Sequence, residues 1–297
     1  MNDVANVDLA DTGDAVDRRN DLGVIELHFR RVDGAGIVDV EAVAGALAAH
    51  DKTEGLPLVA IHGANNETGV IQPIGRIAGI VKQAGGVLVV DAVQAAGRIP
   101  IDISAGYADY LILSSHKIGG PKGVGAIVAG ADLMMPSPLM NGGGQEKGHR
   151  GGTENLAGIA GFGAAARAAL SGLATIDQVL GHRDEIEAIV RALVPDAEFF
   201  GTGAPRLANT TFFAIPGAKA ETVQIAFDLA GVALSAGSAC SSGKVGPSHV
   251  LKAMGHGEGN GALRVSIGAA TGASDIEAFR AALTGIAMRR AGKERAA

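Results

Sequence analysis

The chain has 297 residues, 47% hydrophobic and 19% charged, enough apolar material to build a large unit and a smaller one. Aromatic residues make up only 3%, with no Trp, and the formal net charge is -6, so both stacking surface and positive potential for a nucleic-acid partner are scarce. No uninterrupted apolar run reaches the roughly 18 residues of a membrane span, and the opening MNDVANVDLADTGDAVDRRND is too acidic and polar for a secretory signal.

In chain order, residues 1–21 show no hydrophobic periodicity and read as a loose, disordered tail. LPLVAIH, from Leu56, reads as a strand. IGRIAGIVKQAGG spaces Ile77, Ile80, Val81 and Ala84 as a helix, with Gly85 and Gly86 as its stop. GVLVVDAV, YADYLILSS and GVGAIVAG follow as further apolar strands. Strand, helix and strand with short joins form a βαβ unit, and strands apolar on both faces predict a parallel sheet covered by helices.

Glu154 to about Leu193 reads as Ala-rich helix with a break near Gly172, ended by Val194 and Pro195. Beyond it AEFFG and NTTFFAIP alternate like half-exposed strands. AETVQIAFDLAG reads as a helix, VALSAG and LRVSIG as strands, and SDIEAFRAALTGIAMRR as a closing helix with Ser274 and Glu277 in a capping box. The expected fold class is α/β: a mostly parallel sheet in a large domain over 22–195, and a smaller α+β domain over 196–297.

Ligands of an open parallel sheet bind beyond the carboxyl ends of its strands. Three strands end there in polar residues: Asn65, Asn66 and Glu67 after the first, Asp91 and Gln94 after the second, and Ser114, Ser115, His116 and Lys117 after the third. An Asp at a strand end is more often a turn former, and a Lys there is more often merely solvated. Together they bring an acid, an amide and an amine to one rim. A lysine so placed can form a Schiff base, and pyridoxal phosphate (PLP) needs that lysine, an acid for its pyridine nitrogen and donors for its phosphate.

The single cysteine, Cys240, excludes an intrachain disulfide and a cysteine-rich zinc site, and the 8 histidines show no metal-binding spacing. No metal site is expected, and a cytoplasmic location is the default. A lone Cys is more often a small buried hydrophobe, but SAGSACSSGKVGPS is small, polar and glycine-rich, which reads as an exposed loop able to offer a nucleophile.

The stretches ANNETGVIQPI, VDAVQAAGRIPID, SSHKIGGPKGVGAI, GGGQEKGHRGGTEN, SAGSACSSG and LRVSIGAAT resemble, in family order, the cysteine desulfurases, PLP enzymes of the class-V aminotransferase group. The resemblance implies that Lys117 holds PLP covalently, that Asp91 pairs with the pyridine nitrogen and Gln94 with the phenolic oxygen, and that Ser114 and His116 bind the phosphate. It implies that Asn66 touches cofactor and substrate carboxylate, that Arg264 clamps that carboxylate, and that Thr153 reaches the phosphate in the other subunit of a homodimer. Cys240 would be the nucleophile that takes sulfur from L-cysteine, leaving L-alanine, and passes it to an acceptor or scaffold protein for iron–sulfur cluster assembly; a transient cluster ligand is a further role left open for it.

Relative to the family, an aspartate-asparagine segment, a Thr-Glu phosphate turn and a ring-stacking histidine are not found ahead of VIELHFRRVDGAGIVDVEAV. Weaker hold on the cofactor and exposed apolar surface are therefore expected. Another class-V enzyme, an aminotransferase or selenocysteine lyase, stays open, as does an inactive chain that acts only by binding.

Overall fold

The computed structural model describes residues 31–131, 138, 141–237, 248–257 and 261–296. The tail over 1–21 and Cys240 lie outside them. The chain divides into two compact units, and the boundary passes through the first described helix, α1 (Val40–Ala49): the described residues within 43–64 and 72–174 form a sheet unit, and those up to 42, within 65–71 and from 175 on form the other.

In the sheet unit, β1 (Leu58–His62), β2 (Val87–Asp91) and β3 (Tyr110–Ser114) run parallel, while β4 (Gly125–Ala129) lies antiparallel on β3. The helix α2 (Ile74–Ala84) connects β1 to β2, buries Ile74, Ile77 and Val81, and ends where Gly85 turns left-handed, as its sequence predicts. The sheet's two faces are not equally covered. Register puts Leu58, Ile112 and Ile127 on the same face, and all three are exposed, whereas Leu88, Val90 and Leu111 opposite are buried. The expectation of helices on both faces is thus corrected among the described residues.

The helix α3 (Leu156–Gly172) is capped by Asn155, whose side-chain oxygen accepts from the Gly158 amide. Its glycines let it lie close on the turn between β3 and β4: a Cβ at Gly158 would come 2.4 Å from Val124, and one at Gly161 2.5 Å from Pro121. A 3-10 turn, Leu173–Thr175, joins α3 to α4 (Ile176–Leu193). The sequence's lack of an uninterrupted apolar run disfavoured a membrane span, yet Leu156–Leu193 is long and apolar enough to be one by length and composition.

The second unit is built on an antiparallel sheet of β5 (Glu198–Phe199), β6 (Thr210–Ala214), β7 (Ser235–Ala236) and β8 (Leu263–Ser266), in the order β5-β6-β8-β7. Helices α5 (Ala220–Leu229), α6 (His249–Ala253) and α7 (Ala273–Ala296) complete it. The sequence placed the change of unit near Asp196, but α4 belongs to this unit because Ile186, Ile189 and Val190 enter its core with Phe213, Phe227 and Leu283. Nor is β6 half-exposed: Phe213 fills that core while Phe212 packs on the other side with Phe200 and Met254, so both faces are covered.

The capping box at Ser274 and Glu277 does not form. The Asp275 carboxylate reaches back to the Gly272 amide at 2.9 Å, and Glu277 pairs with Arg280. An acid within the first turn suits the helix dipole equally well.

A buried ion pair fixes α4 to this sheet. Arg206 Nη1 meets Glu187 Oε1 at 2.7 Å, both side chains under 10% exposed, and Thr211 Oγ1 donates to the same oxygen. Burial opposes ionisation of Glu187, but the hydrogen bonds from Arg206 and Thr211 and the charges of Arg206 and Arg183 outweigh it and hold the carboxyl below its ordinary value. With the folded value depressed, the stabilisation is complete above the ordinary glutamate range and is lost as pH falls through the folded value. Arg206→Met removes the buried partner and leaves Glu187 with the half-exposed Arg191 at 3.1 Å and the Thr211 hydroxyl, and should cost about 2 kcal/mol at neutral pH. In urea titrations that penalty should shrink as the pH falls through the carboxylate range.

Candidate active site

The sheet unit gathers five of the residues singled out in the sequence at one carboxyl edge. β2 ends at Asp91, opposite Ile112 of β3, and β3 runs two residues further to Ser114. The chain then tightens into a 3-10 turn, Ser115–Ile118, that carries His116 and Lys117. Asp91 is exposed, and its Oδ1 accepts from the Val93 amide at 2.9 Å, which starts the turn leading to Gln94. Ser114 Oγ and His116 Nδ1 are 2.9 Å apart, a hydroxyl and a ring nitrogen already joined at the end of β3. Lys117 and Gln94 are half-buried.

The lysine turn ends in a glycine pair for a steric reason. Gly119 has φ +87, and a Cβ at Gly120 would stand 2.2 Å from the buried Ser115 Oγ and 3.0 Å from Ala165 of α3. Gly120→Ala should therefore destabilise the chain by about 1–3 kcal/mol, the usual cost of overpacking, measured by thermal unfolding.

Two residues of this edge escaped the sequence reading. His62, the last residue of β1, lies directly beside Asp91 in register. Its signal was position alone, a polar residue closing an apolar strand. Arg98 ties the two loops together: Nη1 donates to the Gln94 carbonyl and Nη2 to the Lys117 carbonyl, each at 3.0 Å. Burial lowers its pKa from the ordinary arginine value, but a guanidinium stays charged at neutral pH. One rigid fork thus sets the spacing between the loop after Asp91 and the turn bearing Lys117. Hydrogen bonds from a charged donor are worth about 1.5–3 kcal/mol, so Arg98→Met should lower stability by that order. Amide exchange should quicken through both loops rather than uniformly.

Thr153 is exposed in the loop ahead of α3, and its carbonyl accepts from Arg150 Nη1 at 3.3 Å. It does not join the cluster by any hydrogen bond among the described residues.

Asn66 and Arg264 belong to the other unit, where they meet. The turn ANNETG is closed by Asn65 Oδ1, which accepts from the amides of Glu67 and Thr68, each at 2.9 Å, and from Thr68 Oγ1. Gly69 takes φ +74 with a Cβ position 3.1 Å from Thr210, so only glycine completes the turn comfortably. The turn presents the Asn66 carbonyl to Arg264 Nη1 at 2.7 Å, while Arg264 Nη2 stands 3.5 Å from Ser235 Oγ. The Asn66 side-chain oxygen is buried and finds no hydrogen-bond partner among the described residues. A buried amide oxygen without a donor is costly and marks a place for one.

The aminotransferase class-V family matches residues 17–279. The chain belongs to that family. Among curated class-V relatives, a cysteine desulfurase of Cereibacter sphaeroides is 40% identical over 255 residues, 85% of this chain and 64% of that protein. A cysteine desulfurase of Sinorhizobium fredii is 39% identical over the same shares. This class-V chain therefore spans about 64% of the length of the curated relatives it matches. The crystal structure of a NifS-like protein from Rickettsia africae superposes with a TM-score of 0.80 at 33% identity, covering 90% of this chain and 72% of that one.

The residues present fit the cofactor of a class-V enzyme. A carboxylate, a hydroxyl paired with an imidazole and a primary amine stand at one strand edge, and each is a partner that PLP requires.

Proposed function

We propose that the chain acts as a PLP-dependent cysteine desulfurase, removing sulfur from L-cysteine. The observation that carries the reading is the carboxyl edge of β2 and β3, where Asp91 and the Ser114–His116 pair flank the turn of Lys117. The naming of the 40% identical relatives as cysteine desulfurases supports the choice of substrate.

Lys117 would anchor the cofactor through its amine, Asp91 would hold a proton on the pyridine nitrogen, and Gln94 would donate to the phenolic oxygen. Ser114 and His116 would donate to the phosphate, with Thr153 reaching the phosphate across a homodimer. When bound, PLP supplies an electron sink for the carbanion at the substrate's α-carbon.

The chain's own groups would do the rest. The guanidinium of Arg264, steadied by the Asn66 carbonyl, would clamp the substrate carboxylate in a two-pronged contact, and the Asn66 side-chain NH2 would donate beside it. The Lys117 amine would take the α-proton as general base and later return it. The Cys240 thiolate would attack the substrate's sulfur. A sulfur–sulfur bond forms as the carbon–sulfur bond breaks, so L-cysteine and the Cys240 thiol become L-alanine and a Cys240 persulfide. The outer sulfur would then pass to an acceptor protein in the cytoplasm, for cluster assembly.

Two substitutions separate the roles. Lys117→Ala should abolish both the yellow colour of protein-bound PLP and its covalent trapping by borohydride. Cys240→Ala should keep the colour and lose sulfide release from cysteine. A Lys117→Ala protein that still traps PLP would sink the lysine assignment. Turnover of selenocysteine but not cysteine by the parent chain would make the enzyme a lyase instead.

A further inference from the structure

The mechanism leaves one buried carboxylate unused. Glu67, in the ANNETG turn, is fully buried, and its Oε2 accepts from Ser248 Oγ at 2.5 Å across 181 residues of sequence. Ser248 is itself only 6% exposed, and it caps α6 by accepting from the Leu251 amide at 3.1 Å. Its position gives the contact meaning: Ser248 stands eight residues after Cys240, at one end of the cysteine segment.

The other root of that segment is fixed too. β7 pairs with β8, Ser235 standing opposite Arg264, and the Gly237 amide donates to the Ala262 carbonyl at 2.8 Å. One root is thus referred to Arg264 through β8 and the Ser235 hydroxyl. The other is referred to Arg264 through Glu67, because the neighbouring Asn66 carbonyl holds the same guanidinium.

We propose that Glu67 is a positioning residue: through Ser248 it fixes the C-terminal root of the Cys240 segment in the same frame as the carboxylate-binding Arg264. The proposal rests on the desulfurase reading for its consequence, but not for the contact itself. The buried carboxylate is more than a filler of space, since an apolar residue of that volume would pack the turn without a donor to satisfy. What it adds is a directed hydrogen bond that sets where the root begins.

The test uses the full chain and its single thiol. Glu67→Met removes the acceptor while filling the space and keeping the Ser248 cap. Ser248→Ala removes the donor, and Ser248→Thr restores a hydroxyl. In the first two variants kcat for alanine formation should fall about 10-fold or more, the scale on which misplaced reacting groups lose rate. KM for cysteine and the yellow colour should stay as in the parent. Independently of turnover, Cys240 should be alkylated by iodoacetamide at a rate altered about threefold or more, as expected when a local tether is released. Ser248→Thr should restore both. If Glu67→Met does not fold, the Ser248 pair decides.

A parent chain that makes no alanine overturns the desulfurase reading alone, and the alkylation rates then settle the positioning role. Unchanged alkylation in both Glu67→Met and Ser248→Ala overturns the proposal. So does a rise in KM with kcat intact, or a change in Ser248→Ala that Glu67→Met does not share, which would reduce the contact to a helix cap.

Discussion

One side-chain oxygen organises the unit that carries Arg264. Asn65 Oδ1 accepts from two amides and a hydroxyl, and so folds the ANNETG segment into a turn that offers other polar groups to distant parts of the chain. The Asn66 carbonyl faces Arg264, the Glu67 carboxylate faces Ser248, and the Gly69 carbonyl accepts from the Leu207 amide. A buried turn must satisfy its polar atoms internally, and here each satisfying contact reaches a different part of the chain. A short local motif thereby becomes the place where distant segments are set against one another.

The sheet unit meets the same requirement by steric closeness. α3 carries glycines at 158 and 161, where its surface would otherwise strike Val124 and Pro121, and Gly120 leaves room for the Ser115 hydroxyl beneath the lysine turn. Arg98 then adds two charged hydrogen bonds to backbone carbonyls on either side of the cluster. Lys117 is therefore held by its backbone, with packing behind and a guanidinium beside it, and its side chain is left available. A group that must act on a ligand is best placed by constraints that do not consume its own functional atoms.

Much of this was legible in the sequence because it is local. The continuous apolar runs of β1, β2 and β3, the spacing of Ile77 and Val81, and the stop at Gly85 are short-range patterns that the structure keeps. The readings that failed depended on partners far along the chain. β6 alternates like a half-exposed strand but has two cores, because helices and loops from elsewhere cover both sides of it. α4 reads as part of the preceding helical stretch but packs with the later unit, drawn by its apolar side and by the pairing of Glu187 with Arg206. Arg98 and His62 carried no motif that periodicity could expose.

By itself the sequence determined the residue types at the strand ends: an acid, an amide, a serine–histidine pair and a lysine, in an order that names a family. It could do so because strand direction and turn position follow from nearest neighbours. Only the tertiary structure decided that Arg98 joins the carbonyls of Gln94 and Lys117, that Asn66 lends its carbonyl to Arg264, and that Glu67 meets Ser248. Apart from the reach of Arg98 to Gln94, four residues away, those contacts are non-local hydrogen bonds between groups that are polar wherever they sit. Their partners are chosen by which backbones the fold brings within about 3 Å of one another, a distance that composition and spacing do not encode.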